Sequence, residues 1–369
     1  MSRSMLPWLP WIRVRLTRSR RYGAAMDVVS DAISAVRVGR PFSHQVRAGG
    51  RWCARLEPYD GAGFHVVLDG TCWLLPDGGD PVGLGPGDAV LLPHGTGHVI
   101  ADSPADAETV ARAEPFARWG GEGPARGTVP APRPGETGVV MLCGKYRLDR
   151  SHAHPLLAEL PSLVHLPDRD GAHPELRAAV GLLAGELGGP EGERPGSGIA
   201  LPSLLDLLLV YMVRSWMAGS ADGIWPAALG DPVAAAALRA LHADPAAPWT
   251  VDRLAAEAGV SRATLVRRFT ARVGRAPMTY LTWWRLTRAA ALLRNGTDPL
   301  AAVARRVGYG TPYALSHAFR REFGVTPGRY REEREGRVGR EVRGVRETRE
   351  GREAALSPSA SSASSPAGS

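Results

Sequence analysis

Residues 254–269 read LAAEAGVSRATLVRRF and residues 303–319 read VARRVGYGTPYALSHAF, so one pattern occurs twice within a short region of the chain. The equivalent positions are Leu254 and Val303, Gly259 and Gly308, Ser261 and Thr311, Leu265 and Leu315, and Phe269 and Phe319. The first two pairs are 49 positions apart and the other three are 50 apart, so the second copy has one extra residue in its turn. A repeat of this kind indicates two equivalent structural units.

Each copy predicts a helix, a glycine turn and a second helix. Glycine permits the positive φ of a tight turn, and Ser261 or Thr311 caps the helix that follows. Residues four apart lie on the same face of a helix, so Leu265 and Phe269 face the core of the first unit. The arrangement is a helix-turn-helix. The outward faces carry Arg262, Ala263, Val266 and Arg267 in the first unit and Pro312, Tyr313, Ser316, His317 and Arg320 in the second.

The segment between the copies, PMTYLTWWRLTRAAALL at residues 277–293, also has helical periodicity. Pro277 suits a first helical turn, and Gly296 lies just beyond the end, so one helix is predicted to fix the spacing of the two outward faces. Residues 249–334 contain sixteen Arg against six Asp and Glu. This excess favours a phosphate backbone as partner, because bound arginines release counterions, and Arg also pairs with guanine in the major groove.

These pieces resemble the DNA-binding domain of the AraC-type transcription regulators over residues 232–331. The ending VARRVGYGTPYALSHAFRREFGVTPGRYR, residues 303–331, is highly specific. The resemblance implies that both recognition helices enter successive major grooves of double-stranded promoter DNA. It places base-facing positions at Arg262, Ala263, Val266 and Arg267 and at Tyr313, Ser316 and His317. Arg320 is assigned to phosphates.

Short apolar runs separated by glycines follow one another from Asp27 to Ser103 and predict a small antiparallel barrel. The runs are Cys53–Leu56, Phe64–Leu68, Cys72–Leu75, Ala89–Leu92 and His98–Ile100. The segment GDAVLLPHGTGH, residues 87–98, resembles the second motif of cupin barrels. FHVVLDG followed by CWLL resembles the cupin-like sensor domain of one branch of the AraC-type regulators. The resemblance implies a cupin-like effector or sensor domain over residues 26–168.

Many cupins hold a metal ion through histidines of two motifs, so a metal site must be weighed. His65 and His98 are present, but Val67 stands where a second histidine of the first motif is expected. Two imidazoles fall short of the usual three or four protein ligands. We therefore predict no metal and no cofactor, and we assign His65, His94 and His98 as candidate effector-binding groups. A cupin-type metal-dependent enzyme fused to a DNA-binding module is the alternative.

The chain between the two domains, residues 169–231, is predicted to be a helical connector. Its helices are expected at Glu175–Leu187 and Pro202–Met217. The second is apolar nearly all round and must be buried, either within the chain or in a homodimer, and both options stay open. Residues 104–137, rich in Pro, Gly and Ala, predict a mobile loop or an insertion in the barrel. Residues 1–25 and 332–369 are expected to be a disordered extension and a disordered tail.

Composition narrows the class of protein further. The chain is 44% hydrophobic and 22% charged, as expected for a soluble globular protein. Its best apolar run, Leu204–Val213, is short and contains Asp206, so no membrane span is predicted. Cys53, Cys72 and Cys143 are an odd, scattered set, which favours a reducing cytoplasm over a disulfide framework. The apolar neighbours of Cys72 and Cys143 predict that these two are buried structural thiols. Oxidant sensing by a cysteine is the alternative.

The combined prediction is a multidomain chain with a cupin-like β barrel followed by an all-α double helix-turn-helix domain, and it is not an enzyme. We expect a sequence-specific DNA-binding transcription regulator that responds to a small molecule or a stress signal. The AraC-type resemblance implies an activator that contacts RNA polymerase. Nonspecific DNA packaging is a competing interpretation. Tyr313 and Ser316 argue against it, because neither carries the charge that nonspecific binding prefers.

Overall fold

The computed structural model describes residues 27–116, 138–148, 155–169, 171–188, 194–220 and 223–332. The predicted extension, most of the predicted loop at 104–137 and nearly all of the predicted tail lie outside these residues. The described part begins with one helix, continues as a β barrel and ends in a series of helices.

The barrel consists of two five-stranded sheets. The strands are β1 (Phe42–Gly49), β2 (Cys53–Leu56), β3 (Ala62–Asp69), β4 (Cys72–Pro76), β5 (Val82–Leu84), β6 (Ala89–Leu92), β7 (His98–Ala101), β8 (Glu114–Pro115), β9 (Gly138–Tyr146) and β10 (Val164–Leu166). One sheet has the order β1-β9-β3-β6-β10 and the other β5-β4-β7-β2-β8. Neighbouring strands are antiparallel except for β2 and β8, which are parallel. The predicted cupin-like barrel is confirmed.

The two faces of the first sheet line different cores, because successive strand residues point to opposite sides. Val67, Val90 and Met141 are fully buried in the barrel interior, together with Leu74 and Ile100 of the second sheet. The opposite face belongs to a second core that it shares with the helices; its members include Phe64, Val66 and Leu142. The barrel interior is therefore largely apolar, although His65 and His98 are buried in it as well, and the helices cover one side of the barrel.

Twelve helices are named here in chain order. They are α1 (Val28–Val36), α2 (Ala107–Ala111), α3 (Pro155–Glu159), α4 (Pro174–Leu187), α5 (Ser197–Gly219), α6 (Ile224–Gly230), α7 (Pro232–Ala243), α8 (Val251–Glu257), α9 (Arg262–Val273), α10 (Pro277–Asn295), α11 (Leu300–Arg306) and α12 (Pro312–Phe323). Helices α8 and α9 form the first helix-turn-helix, α11 and α12 form the second, and α10 joins them. This confirms the predicted all-α region.

One element at the start of the barrel domain was not predicted. The pattern of short runs from Asp27 predicted a barrel, but α1 occupies residues 28–36, because the Asp27 carboxylate accepts the Ser30 amide at 2.9 Å and caps it. Val29, Ile33 and Val36 then lie on its buried side. The described part of the segment 104–137, predicted as a loop or an insertion in the barrel, contains the short helix α2, which Asp106 caps in the same way.

Helix α5 is longer than predicted, since it begins at Ser197 and includes Pro202 within its second turn. Of the helices in the described residues, α5 alone is long and apolar enough to cross a bilayer by length and composition. Part of its apolar surface is covered within the chain. Leu208 and Met212 are fully buried, and α5 contacts α4, β1 and β10. Ile199 and Leu207 of the same helix are exposed, so this packing covers only part of the apolar surface of α5.

Candidate nucleic-acid interface

Helix α9 carries the first exposed face. Gly259 turns the chain with a φ of 66°, and the Ser261 hydroxyl accepts the Thr264 amide at 3.3 Å. Leu265 and Phe269 are fully buried, as their spacing predicted. The opposite side consists of Arg262, Ala263 and Arg267, which are exposed, and Val266, which is half-buried. The four predicted positions therefore share one accessible face.

Helix α12 carries the second exposed face. The Thr311 hydroxyl accepts the Ala314 amide at 3.1 Å, while Leu315 and Phe319 are fully buried. The outward positions are Tyr313, His317 and Arg320, which are exposed, and Ser316, which is half-buried. Tyr313 is 81% exposed, which is unusual for a large aromatic side chain and leaves its ring free to contact a partner.

Ion pairs distinguish accessible arginines from structural ones. Arg262 Nη1 lies 3.2 Å from Asp252 Oδ2, and both side chains are about two-thirds exposed. Such a surface pair contributes little, so Arg262 can exchange it for a DNA contact. Arg268 Nη2, in contrast, lies 2.7 Å from Asp231 Oδ2, and Asp231 is buried at the start of α7. Arg268 therefore holds α9 against α7.

Helix α10 belongs to both units. In its first half, Tyr280 and Trp284 are fully buried in the core that contains the first helix-turn-helix. In its second half, Leu286 and Leu293 lie in the separate core of the second helix-turn-helix. One rigid helix thus passes from one unit to the other, as the sequence predicted.

Helix α1 connects the barrel side to the DNA-binding side. Asp31 accepts a hydrogen bond from His242 Nδ1 of α7 at 2.7 Å, and His242 Nε2 lies 2.8 Å from the Tyr280 hydroxyl of α10. Arg288 Nη1 lies 3.8 Å from the other Asp31 oxygen. At the opposite end of α1, Arg37 forms an ion pair with Asp206 of α5. A single short helix therefore contacts both halves of the protein.

The barrel interior contains a directional chain of hydrogen bonds. The Thr96 carbonyl can only accept, so His98 Nδ1, 3.2 Å away, carries the proton. His98 Nε2 must then accept from His65 Nε2 at 2.8 Å, and His65 Nδ1 accepts from the Cys143 thiol at 3.0 Å. All four groups are satisfied in their neutral forms. Burial favours these forms, because it lowers the pKa of His98 to about 4 and raises the pKa of the Cys143 thiol well above its usual value.

This row of hydrogen-bonded side chains does not fit the metal centre that cupins often contain. The ring nitrogens of His65 face opposite partners and each already takes part in a hydrogen bond, so Cys143 and His98 do not converge on one point. His94 Nε2 lies 2.6 Å from the Leu160 carbonyl. Within the described residues no group of three or more His, Cys, Asp or Glu side chains is arranged to hold a metal ion. His152 and His154, two further histidines of the predicted cupin-like domain, lie outside those residues.

Sequence reasoning missed three polar side chains in the same domain. In the described structure the Tyr59 and Thr96 hydroxyls and both ring nitrogens of His44 are buried without a hydrogen-bond partner. His44 lies opposite Cys143 in the β1–β9 register, and Cys143 lies opposite His65 in the β9–β3 register, so a row of polar groups crosses the sheet. The register between distant strands was the missing signal.

The cysteines are thiols in hydrophobic surroundings. Burial raises the pKa of Cys72 to about 12 and raises the pKa of the half-buried Cys53 as well. A raised pKa reduces the thiolate that reacts with oxidants. The prediction of buried thiols for Cys72 and Cys143 is confirmed, and Cys53 is half-buried.

Comparison with known proteins agrees with both parts of the chain. Residues 27–218 match a cupin family model, and residues 254–333 match a helix-turn-helix domain model. A putative AraC-like transcription regulator of Streptomyces antibioticus is 36% identical over 316 residues, covering 83% of this chain and 99% of its own length. The HTH-type transcriptional regulator MtrA of Neisseria gonorrhoeae is 30% identical, covering 84% of this chain and 99% of its own.

Among solved structures, the DNA-binding domain of AdpA in complex with a target DNA is 36% identical. It covers 29% of this chain and 96% of its own, with a TM-score of 0.28.

Proposed function

Because this chain belongs to the AraC-type transcription regulators, we propose that it reads a two-part promoter site with α9 and α12 in successive major grooves. Arg262 and Arg267 present guanidinium groups that can bind guanine edges bidentately. The second groove is read by Tyr313, Ser316 and His317. Arg320, further along α12, contacts phosphate. The observation that carries the proposal is the pair of exposed faces on two capped helices joined by one rigid helix.

The charge distribution supports DNA as the partner. The region from 249 to 334 has sixteen Arg and six Asp or Glu, whereas the whole chain has a formal excess of +8. The positive excess of this region is therefore larger than that of the whole chain, and the remaining residues carry a slight negative excess. Released counterions supply the affinity of such a region, while the uncharged groups on α12 supply sequence preference.

We place the effector site of this regulator inside the barrel domain. Buried polar atoms normally have hydrogen-bond partners, and leaving one without a partner costs about 1–3 kcal/mol. The unpartnered Tyr59, Thr96 and His44 groups are therefore suited to a small polar molecule that supplies the missing partners. Thr96 also accepts from His98 through its carbonyl, and His44 lies opposite Cys143 in the sheet, so a molecule bound at these residues would also alter the hydrogen bonds of His65 and His98.

The effector signal reaches the DNA-binding domain through α1. This helix binds α5, which itself contacts the barrel strands β1 and β10, through Arg37, and it binds the DNA-binding side through Asp31. An effector that binds one arrangement of α1 more tightly shifts the population of that arrangement, and only such a difference in affinity can couple the two sites. The partner of Asp31 on α7 is His242, so the signal enters the DNA-binding domain at its first helix.

The family relationship supports the proposed role at the promoter. The AraC-type relationship implies an activator that contacts RNA polymerase and acts in the cytoplasm, where the chromosome lies.

Exposed apolar side chains support a homodimer. The paired helices α4 and α5 carry three of them, namely Leu182, Ile199 and Leu207. A second copy of the chain could cover them, which would present two DNA-binding domains to a repeated site.

A selection experiment tests the DNA-reading function. The full chain is incubated with duplexes that contain a random central segment, and the retained duplexes are sequenced over several rounds. We expect enrichment of two short motifs about one helical turn apart. Retention of all sequences equally, with binding that falls steeply as salt rises, would instead indicate nonspecific packaging.

A further inference from the structure

The two recognition units do not share one hydrophobic core. The core containing the first unit ends on α10 at Trp284, and the core of the second unit begins at Leu286. Arg285 is the residue between them. The angle between the units is therefore not fixed by a common core, and contacts at this boundary on α10 become decisive.

Arg285 links α10 to the turn that leads into the first unit. Its Nε donates to the Pro245 carbonyl at 2.6 Å, and its Nη2 donates to the Ala247 carbonyl at 2.9 Å. The turn is itself held closed, because the Asp244 carboxylate accepts the amides of Ala246 and Ala247 at 3.1 Å. The planar guanidinium therefore holds a preformed pair of carbonyls at a fixed angle, which a lysine ammonium cannot do in the same way.

The second unit meets the same turn from the other side. Gly308, in the turn between α11 and α12, has a φ of 82°. A Cβ atom at this position would lie 2.8 Å from Ala246 Cα and 2.9 Å from Arg285 Nη2. Glycine is therefore required both by backbone conformation and by space. The entry turn of the first unit, α10 and the turn of the second unit meet at one point.

We propose that Arg285 is a positioning residue that sets the distance between half-sites accepted by the two recognition helices. Each added base pair moves the second half-site by about 3.4 Å along the duplex and turns it by roughly 35°. If the two recognition units could tilt by a comparable angle, the protein would tolerate such a change. When Arg285 holds the boundary between the units at a fixed angle, it does not. The role rests on the proposed two-groove reading of DNA and adds a spacing rule to it.

The test uses duplexes recovered by selection with the wild-type chain. One series removes or inserts one or two base pairs between the two motifs, and a further duplex has the second motif scrambled. We expect the wild type to lose about tenfold in affinity for one inserted base pair, equivalent to about 1.4 kcal/mol. Arg285→Gln should lose less than about threefold, and its affinity for the scrambled duplex should equal that of the wild type. Arg285→Lys should give an intermediate profile.

Two comparisons separate positioning from stability. Arg239→Gln removes an exposed arginine on α7 and should keep the wild-type spacing profile. Gly308→Ala disturbs the same contact from the side of the second unit, so it should make affinity less dependent on spacing, as Arg285→Gln does. The test therefore remains decisive if one of the two variants is unstable. Uniform weakening on every duplex with an unchanged spacing profile would overturn the role of Arg285. A selection that yields one motif alone would instead contradict the two-groove function itself.

Discussion

His242 Nδ1 donates to Asp31 Oδ2 across 2.7 Å, and both side chains are almost completely buried. The imidazole also stacks on Trp284 with ring centroids 4.3 Å apart. Asp31 is on the first described helix and His242 is 211 residues later on α7, so this contact joins the beginning of the folded region to the helical half. The energetic effect of this contact can be measured, because removing one side chain leaves the other buried without this hydrogen bond.

Replacement of Asp31 should therefore weaken the junction between the domains. In Asp31→Ala the buried His242 N–H and the Arg288 guanidinium lose their acceptor, and we expect a loss of about 3 kcal/mol in the free energy of unfolding. Calorimetry should show one thermal transition for the wild type and two for Asp31→Ala. Ser34→Ala, an exposed change on the same helix, should have little effect. If Asp31→Ala and Ser34→Ala unfold at the same temperature and in the same number of transitions, α1 does not couple the domains.

Stability should fall as the pH is lowered. Burial lowers the pKa of His98 from 6.5 to about 4, and it lowers the pKa of His65 and His242 in the same direction. The unfolded chain then takes up protons first, so stability is complete above about pH 6.5 and decreases towards pH 4. His98 alone should reduce the free energy of unfolding by about 2 kcal/mol between pH 7 and pH 5.

Urea titrations at the two pH values measure this difference. His98→Gln should have a shallower dependence than the wild type, while His317→Gln, which changes an exposed histidine, should match the wild type. A wild-type stability that rises or stays constant as the pH falls would contradict the neutral hydrogen-bonded chain.

The Cys143 and His65 side chains should behave as an energetic pair. Cys143→Val and His65→Leu each leave the other partner unsatisfied and should each cost about 1–3 kcal/mol. In the double variant the loss should be smaller than the sum by at least about 0.5 kcal/mol, because the unsatisfied partner has also been removed. Cys72→Val, at another buried thiol of the barrel, should be additive with His65→Leu. Strict additivity for the first pair would mean that the hydrogen bond is not formed.

The same chain of hydrogen bonds predicts independence from metal ions. Dialysis of the purified chain against a chelator should leave its thermal midpoint and its affinity for a selected duplex unchanged. A midpoint that falls by several degrees and recovers on addition of iron, manganese or zinc would favour the cupin-type metal-dependent enzyme.

The helical half was predictable because its determinants are local. Gly259, Ser261 and Leu265 specify the turn, the cap and the buried face within seven residues, and the second copy repeats them. Helix α1 could also have been found, since Asp27 followed by apolar residues at helical spacing is an N-terminal signal. It was missed because the following runs are strands.

Other features depend on contacts between distant residues and could not be predicted. Cys143 meets His65 only because β9 lies beside β3, although the two residues are 78 positions apart. Arg285 looked like one of many surface arginines, and its carbonyl partners are about forty positions earlier in the chain. Periodicity assigns a residue to one face of its element but does not identify the element opposite.

The central claim is that α9 reads bases, and Arg267→Ala tests it most directly. Wild-type and variant chains are titrated with a selected duplex and with duplexes in which each base of the first motif is changed in turn. We expect the wild type to discriminate at one position by about 1–3 kcal/mol, and we expect the variant to lose that preference while it keeps its preferences in the second motif. Identical base preferences for both proteins across the whole site would contradict the account.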